Sequence, residues 1–188
     1  MAIDRALMEH AAEGPILRLY RWEPNWGSYG YFQTETEARA AFKNLTWVRR
    51  WTGGGVVDHR ADRTYTLAIP PWHPVAKLRQ DGSYQAIHEG VAEALLAMEI
   101  QTNFSETCQP GASAACFEAP VRWDLTGPNG NKLAGAGQRR GRLGFLHQGS
   151  VAVTDDRFFD LLPEILAEKC DPADFSKEFA DGNSTPDK

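Results

Sequence analysis

Three consecutive glycines follow two fixed cations in the run Arg49-Arg50-Trp51-Thr52-Gly53-Gly54-Gly55-Val56-Val57-Asp58-His59, and no other stretch narrows the possible folds so far. Glycine has no Cβ to separate backbone from ligand and tolerates φ > 0, so successive N–H groups are expected to turn inward as a concave anion nest. Trp47-Val48-Arg49 reads as a strand entering this loop. A second glycine-rich stretch, Lys132-Leu133-Ala134-Gly135-Ala136-Gly137-Gln138-Arg139-Arg140, sets small residues behind a lysine and leads into Leu146-His147-Gln148-Gly149-Ser150. Together the two point to a site for a carboxylate or a phosphate ester.

The rest of the chain alternates helical and extended patterns. Ile3, Leu7 and Ala11 share a helical face that Gly14-Pro15 ends, and Ile16 to Trp22 reads as a strand. Thr34 and Glu37 form a capping box for a short helix through Ala38, Ala41 and Phe42. Tyr65, Leu67 and Ile69 alternate with Thr64, Thr66 and Ala68, predicting a half-buried strand that Pro70-Pro71 stops. Ser83 is placed to cap a helix carrying Tyr84, Ile87, Val91, Ala94, Leu95 and Met98 on one face. Residues 109–115 read as a small-residue loop, and Gly127-Pro128-Asn129-Gly130 as a hairpin between strands near 121–126 and 131–138. Phe145 to Val153 gives a further strand. Asp155 can cap a closing helix with Phe158, Leu162, Ile165 and Leu166 inward, which Pro163 is expected to split or restart. From Asp171 onward the composition is that of a frayed polar tail, leaving one domain over residues 1–170 and a tail over 171–188.

The net charge of −5 argues against a nucleic-acid partner, although Arg139, Arg140 and Arg142 form a local basic cluster fit for a small anion or an acidic protein surface. No apolar run approaches the ~20 residues that span a bilayer, so a cytoplasmic protein with no membrane partner is expected. Cys108, Cys116 and Cys170 are widely spaced and odd in number, which describes neither a disulfide framework nor a metal site, and all three are expected to be reduced. No His, Asp or Glu spacing suggests a metal.

The ordered motifs Arg-Arg-x-Thr-Gly-Gly-Gly-x-Val-x-His from Arg49, Asp62-x-Thr64-Tyr65-Thr66-Leu67, Lys132-x-x-Gly135-x-x-Gln138-x-Arg140 and His147-Gln148-Gly149-Ser150 resemble the lipoate-protein ligase A and octanoyltransferase family. The likeness extends upstream through Arg18-Leu19-Tyr20-Arg21-Trp22 and Gly30-Tyr31-Phe32-Gln33, from the first residue to about Val153. It implies an α/β fold of the α+β type, that of the biotin/lipoate ligase catalytic domain, with a mixed, largely antiparallel sheet flanked by helices. Members also place a strand ahead of the first helix.

The resemblance also implies roles. Lys132 matches the family's active-site lysine, and Cys116, in Ala115-Cys116-Phe117-Glu118-Ala119-Pro120, sits where one class of octanoyltransferases carries its nucleophile; a small buried hydrophobe is the bland reading of a lone cysteine. Arg50, Trp51, Thr52, Gly53, Gly54, Gly55, His59, Gly135, Gln138 and His147 are carried over as substrate-binding residues, with Trp51 the aromatic expected to touch ligand. His59 and His147 orient substrate, act as bases or serve as hydrogen-bonded structural histidines. Arg50 and Lys132 are expected to be removable without loss of the fold, as exposed or pocket-lining cations contribute little to the core. Gly135-Ala136-Gly137-Gln138 departs from the family's Gly-Ser-Ala-Gln, which bears on substrate choice.

Three functions compete. One is a transferase that takes an octanoyl or lipoyl group from acyl carrier protein onto Cys116 and passes it to a lysine of a lipoyl-domain or glycine-cleavage H-type acceptor, with no resident cofactor. The second is a lipoate-protein ligase that uses ATP and magnesium; such ligases carry or recruit an accessory domain for adenylation. The third is a non-catalytic acyl- or lipoyl-binding homologue.

Overall fold

In chain order the elements are α1 (Ala2–His10), β1 (Ile16–Tyr20), β2 (Trp26–Tyr29), α2 (Glu35–Ala41), β3 (Thr46–Arg49), β4 (Val57–Asp58), β5 (Arg63–Ile69), α3 (Pro74–Lys77), α4 (Gln80–Ala97), β6 (Asn103–Phe104), β7 (Leu125–Thr126), β8 (Lys132–Gly141), β9 (Gly144–Val151) and α5 (Arg157–Lys169). The computed structural model of the protein describes residues 1–106 and 120–169. The loop at 109–115, the tail at 171–188 and all three cysteines lie outside the described residues.

Among the described residues, six strands form one antiparallel sheet in the order β1-β5-β9-β8-β7-β6, and β3-β2-β4 form a second, in which β2 and β3 run parallel. One face of the large sheet is covered by α4 and α5, whose Ile87, Leu95, Phe158 and Leu162 pack on Tyr65 and Phe145 in the main core. The other face carries α1, where Ala11 closes a smaller cluster over Ala68 and Leu146. Strand β5 is therefore buried on both faces, not half-buried as its alternation suggests. Alternation reports which residues share a face; it does not report whether a second layer covers the other one.

The capping box is present: Thr34 Oγ1 accepts from the Glu37 N–H at 3.3 Å, and Glu37 Oε2 accepts from the Thr34 N–H at 2.7 Å. Three local expectations change. Helix α4 starts at Gln80 with Arg79 at its N-cap, so Ser83 lies inside the first turn and faces β8, with its Oγ 3.1 Å from Gln138 Oε1. Helix α5 runs unbroken through Pro163, because Leu162 and Leu166 are buried on either side of it and packing outweighs one lost hydrogen bond. In α1 the buried position is Asp4, which pairs with Arg18 at 2.7 Å, while Ile3 is 55% exposed. No helix among the described residues is long and apolar enough to cross a membrane.

Candidate active site

Strand β8 begins at Lys132, whose side chain folds back over Gly135. A Cβ at Gly135 would overlap Lys132 Cε and approach its Nζ, so the side chain occupies the space that glycine leaves. The ammonium ends 2.7 Å from Asp124 Oδ2, with only 5% of the Lys132 side chain and none of Asp124 exposed. Asp124 precedes β7 and is brought under Lys132 by pairing of Leu125 with Ala134. Its other oxygen accepts from Tyr84 Oη at 2.5 Å, and that hydroxyl accepts from the Ala136 N–H at 2.7 Å. Burial first, and the Asp124 charge second, push the Tyr84 phenol well above its ordinary value, so it remains a proton donor.

A second polar chain lies across the cleft. Arg50 Nη1 donates to Ser28 Oγ at 2.7 Å, Ser28 Oγ lies 2.7 Å from His59 Nε2, and His59 Nδ1 lies 2.6 Å from Asp62 Oδ2. Burial lowers the His59 pKa despite the opposing pull of Asp62, so the ring is neutral. One set of proton positions satisfies every contact: Nδ1 donates to Asp62, and Nε2 accepts from Ser28. Ser150 Oγ also donates to Asp62, and Trp22 stacks on His59 with ring centroids 4.2 Å apart. Ser28 is fully buried, so its hydroxyl serves to anchor Arg50.

The glycine run presents carbonyl oxygens to a cation. Arg50 Nη2 donates to the carbonyls of Gly55 at 2.6 Å and Gly53 at 3.4 Å, so the loop turns these oxygens toward the cation. Gly54 adopts φ 93°, a left-handed conformation that a side chain would strain. Thr52 donates from its N–H and hydroxyl to Gln148 Oε1, whose amide in turn donates to Asp4 Oδ2 at 2.7 Å. The loop is thereby tied to α1.

Of the residues expected at the site, Lys132, Arg50, His59 and Gly135 line one cleft, whose walls include Tyr20 and Trp22. Gly53, Gly54 and Gln138 line an adjoining cavity, with Tyr84 and Trp123, and the two share Ala136 and Gly137. Gly55 and Thr52 act as described, holding Arg50 and Gln148. Trp51 lies elsewhere, in a groove with Met8 and Leu146. His147 faces the helices, its ring between Tyr65 Oη and Gln138 Nε2 at 3.0 Å each. Cys116 lies outside the described residues. Arg50 and Lys132 line the cleft as pocket cations, but Arg50 and the Lys132 side chain are enclosed there with partners, so removing either is expected to cost stability as well as activity. Gln148 and Ser150 reach the cleft instead of His147. Period-two alternation along β9 was the signal available for them. Asp124 and Ser28 carry no comparable signal.

A model of the lipoyl protein ligase A/B catalytic domain matches residues 1–179. The chain belongs to this family. Octanoyltransferase LipM of Bacillus subtilis (strain 168) is 33% identical over 178 residues, covering 86% of this chain and 64% of that protein. Octanoyltransferase LipM of Kyrpidia tusciae is 34% identical over 181 residues, with 88% and 63% covered. The chain thus spans a little under two thirds of the length of these curated relatives. Among solved structures, lipoate-protein ligase A bound with ATP superposes with a TM-score of 0.68 at 18% identity, over 89% of this chain and 78% of that one. A bi-partite lipoate protein ligase from Thermoplasma acidophilum gives 0.66 at 19%, over 89% and 76%. At these identities the structures establish the lipoyl protein ligase catalytic fold, as the sheet and its flanking helices require.

Proposed function

We propose that the protein is an acyltransferase of protein lipoylation, moving an octanoyl or lipoyl group through a thioester on Cys116 to a lysine of a carrier domain. The observation that carries this reading is the Lys132 ammonium, held by Asp124 over Gly135 at the wall of a cleft lined by Tyr20 and Trp22. That the sequence relatives named above are octanoyltransferases supports transfer over ATP-dependent ligation.

In the first step the Cys116 thiolate attacks the carbonyl of an acyl thioester on acyl carrier protein. A new C–S bond forms, the old one breaks, and the donor thiolate leaves and takes up a proton. In the second step the acceptor amine attacks the Cys116 thioester; a C–N bond forms, and the amine proton passes to the departing cysteine sulfur. Each step passes through an oxyanion that Lys132 stabilises, a contribution commonly worth ~2.7–4 kcal/mol. The aromatic walls hold the acyl chain out of water. The acyl group arrives activated as a thioester, so the reading needs neither ATP nor magnesium. The acceptor is a lipoyl domain or a glycine-cleavage H-type protein.

Intact-protein mass spectrometry tests this. Incubation with octanoyl carrier protein should give an acyl adduct that hydroxylamine removes and Cys116→Ala lacks. Acceptor modification that consumes ATP and proceeds with no adduct would sink the reading.

A further inference from the structure

Half of the arginines of the described residues pair with a carboxylate, as in Arg18–Asp4, Arg39–Glu35 and Arg60–Asp58. Arg49 and Arg139 do not, and both stack on aromatic rings instead. The Arg139 guanidinium lies 4.5 Å from the Tyr31 ring centre and 4.9 Å from that of Trp51. Arg49 covers Tyr31 at 5.5 Å, and Arg5 covers Trp51 at 4.9 Å. The result is an alternating ladder, Arg5, Trp51, Arg139, Tyr31, Arg49, drawn from α1, the glycine loop, β8 and the end of β3. Phe32 stands beside it, edge-on to Tyr31 and 90% exposed.

Trp51 also packs on the Ala11–Ala68–Leu146 cluster, whereas Arg49 and Phe32 stand exposed at the outer end of the ladder. Aromatic faces restrain the guanidinium groups without neutralising them, so the charges are pre-organised for a partner at a reduced entropic cost. The chain as a whole carries a net charge of −5, whereas on this face Arg49 and Arg139 stack side by side on Tyr31 with no carboxylate partner among the described residues. Arginine and exposed aromatics are also the residue types that dominate protein–protein contact energies. The ladder is fixed to the site: the Tyr31 N–H donates to the Thr52 carbonyl at 2.9 Å, and Arg139 Nη1 donates to the Trp51 carbonyl at 3.2 Å. The next residues, Gly53 and Gly54, line the cavity that joins the Lys132 cleft at Ala136 and Gly137.

We infer that this ladder, with Phe32, is the docking face for an acidic protein domain that delivers a side chain into that cavity. That the side chain is an acceptor lysine rests on the acyl-transfer reading above; that the face binds an acidic domain does not.

The test measures binding of an unmodified lipoyl domain of net negative charge to the full chain by calorimetry, without donor and without turnover. The wild type should bind more weakly by at least ~10-fold between about 50 mM and about 300 mM salt. Arg49→Glu/Arg139→Glu should weaken binding at low salt by ~10-fold or more and flatten that dependence. Phe32→Ser, at a position too exposed to disturb folding, should weaken it by several-fold. Equal affinity of wild type and both variants, or salt-independent wild-type binding, overturns the inference. So does a wild type that ignores the domain but binds single-stranded RNA through Arg49 and Arg139, since a cation–aromatic ladder also suits unpaired bases. Docking without transfer supports the inference and removes the acyl-transfer reading; transfer with docking unaffected in the variants does the reverse.

Discussion

Lys132 Nζ sits 2.7 Å from Asp124 Oδ2 only because Gly135, three residues along the same strand, has no side chain. The lysine is therefore aimed by an absence as much as by its carboxylate. Gly135→Ala should move the ammonium while leaving the strand intact, since an alanine at an ordinary strand φ carries no backbone penalty. Acyl transfer should fall by ~10²-fold or more, the amount lost with one oxyanion stabiliser, and Tm should fall too, toward the drop of roughly 10 °C expected when the Lys132–Asp124 pair is broken. A Gly135→Ala protein with full activity would show that Lys132 acts from some other position.

Asp124 is buried with three partners, Lys132, Tyr84 and the Val121 N–H. Breaking such a pair strands a charge, so Asp124→Ala should cost about 3–5 kcal/mol and lower Tm by roughly 10 °C. Lys132→Ala should also destabilise, by leaving the carboxylate unpaired. Asp124→Asn keeps the shape and part of the hydrogen bonding, and should be the milder change in urea denaturation. If all three variants unfold with the wild type, the ion pair is not structural.

The parts of this site legible in sequence were those governed by local rules. The capping box at Thr34 and Glu37, the strand ended by Pro70 and the hairpin at Gly127 to Gly130 each depend on a few adjacent residues, and each is present. Lys132, Arg50, His59 and Gly135 were found through motif resemblance and do meet in one cleft. What sequence missed depends on pairing at a distance. Asp124 reaches Lys132 through the β7–β8 register, and Ser28 reaches Arg50 and His59 because β2 lies between β3 and β4. His147 was drawn to the pocket by its neighbours in the motif, yet strand alternation turns it to the opposite face, beside Tyr65. Trp51 was expected on the ligand and instead packs between Arg5 and Arg139.

Buried neutral histidines give the protein an acid-sensitive stability. His59, His88 and His147 are each held below the ordinary histidine value, chiefly because burial penalises the charged ring, and His88 falls to about 4. Its Nδ1 donates to the Trp123 carbonyl at 2.7 Å, while Nε2 is buried with no hydrogen-bond partner among the described residues. The folded values lie below the unfolded one, so stability is full above about pH 6.5 and is lost as pH falls toward the folded values. Each histidine contributes a slope of about 1.4 kcal/mol per pH unit in that window. Glu37, Asp58 and Asp155 have lowered values too, but these act only below about pH 4.5. Urea midpoints should therefore drop between about pH 7.5 and about pH 5, and less steeply in His88→Gln. A midpoint that holds or rises over that range contradicts the assignment.

Cys116 lies outside the described residues, and its part in the reaction is decided chemically. An unperturbed thiol with a pKa of ~8.5 is only ~3% ionised at pH 7, so a nucleophilic cysteine beside a cation gains at most tens of fold in thiolate. That gain is enough to separate it from Cys108 and Cys170 in a race. Iodoacetamide should alkylate Cys116 first, and an octanoyl donor should protect it. Cys116→Ser should lose nearly all octanoyl transfer, because a hydroxyl with a far higher pKa is poorly ionised at the same place. Lys132→Ala should slow the alkylation if the ammonium is what lowers the thiol's pKa, and the pH profile of alkylation reads this directly by shifting upward. Uniform labelling of the three cysteines, or a Cys116→Ala protein that still modifies its acceptor from octanoyl carrier protein, removes the thioester from the mechanism and leaves Lys132 serving a direct transfer.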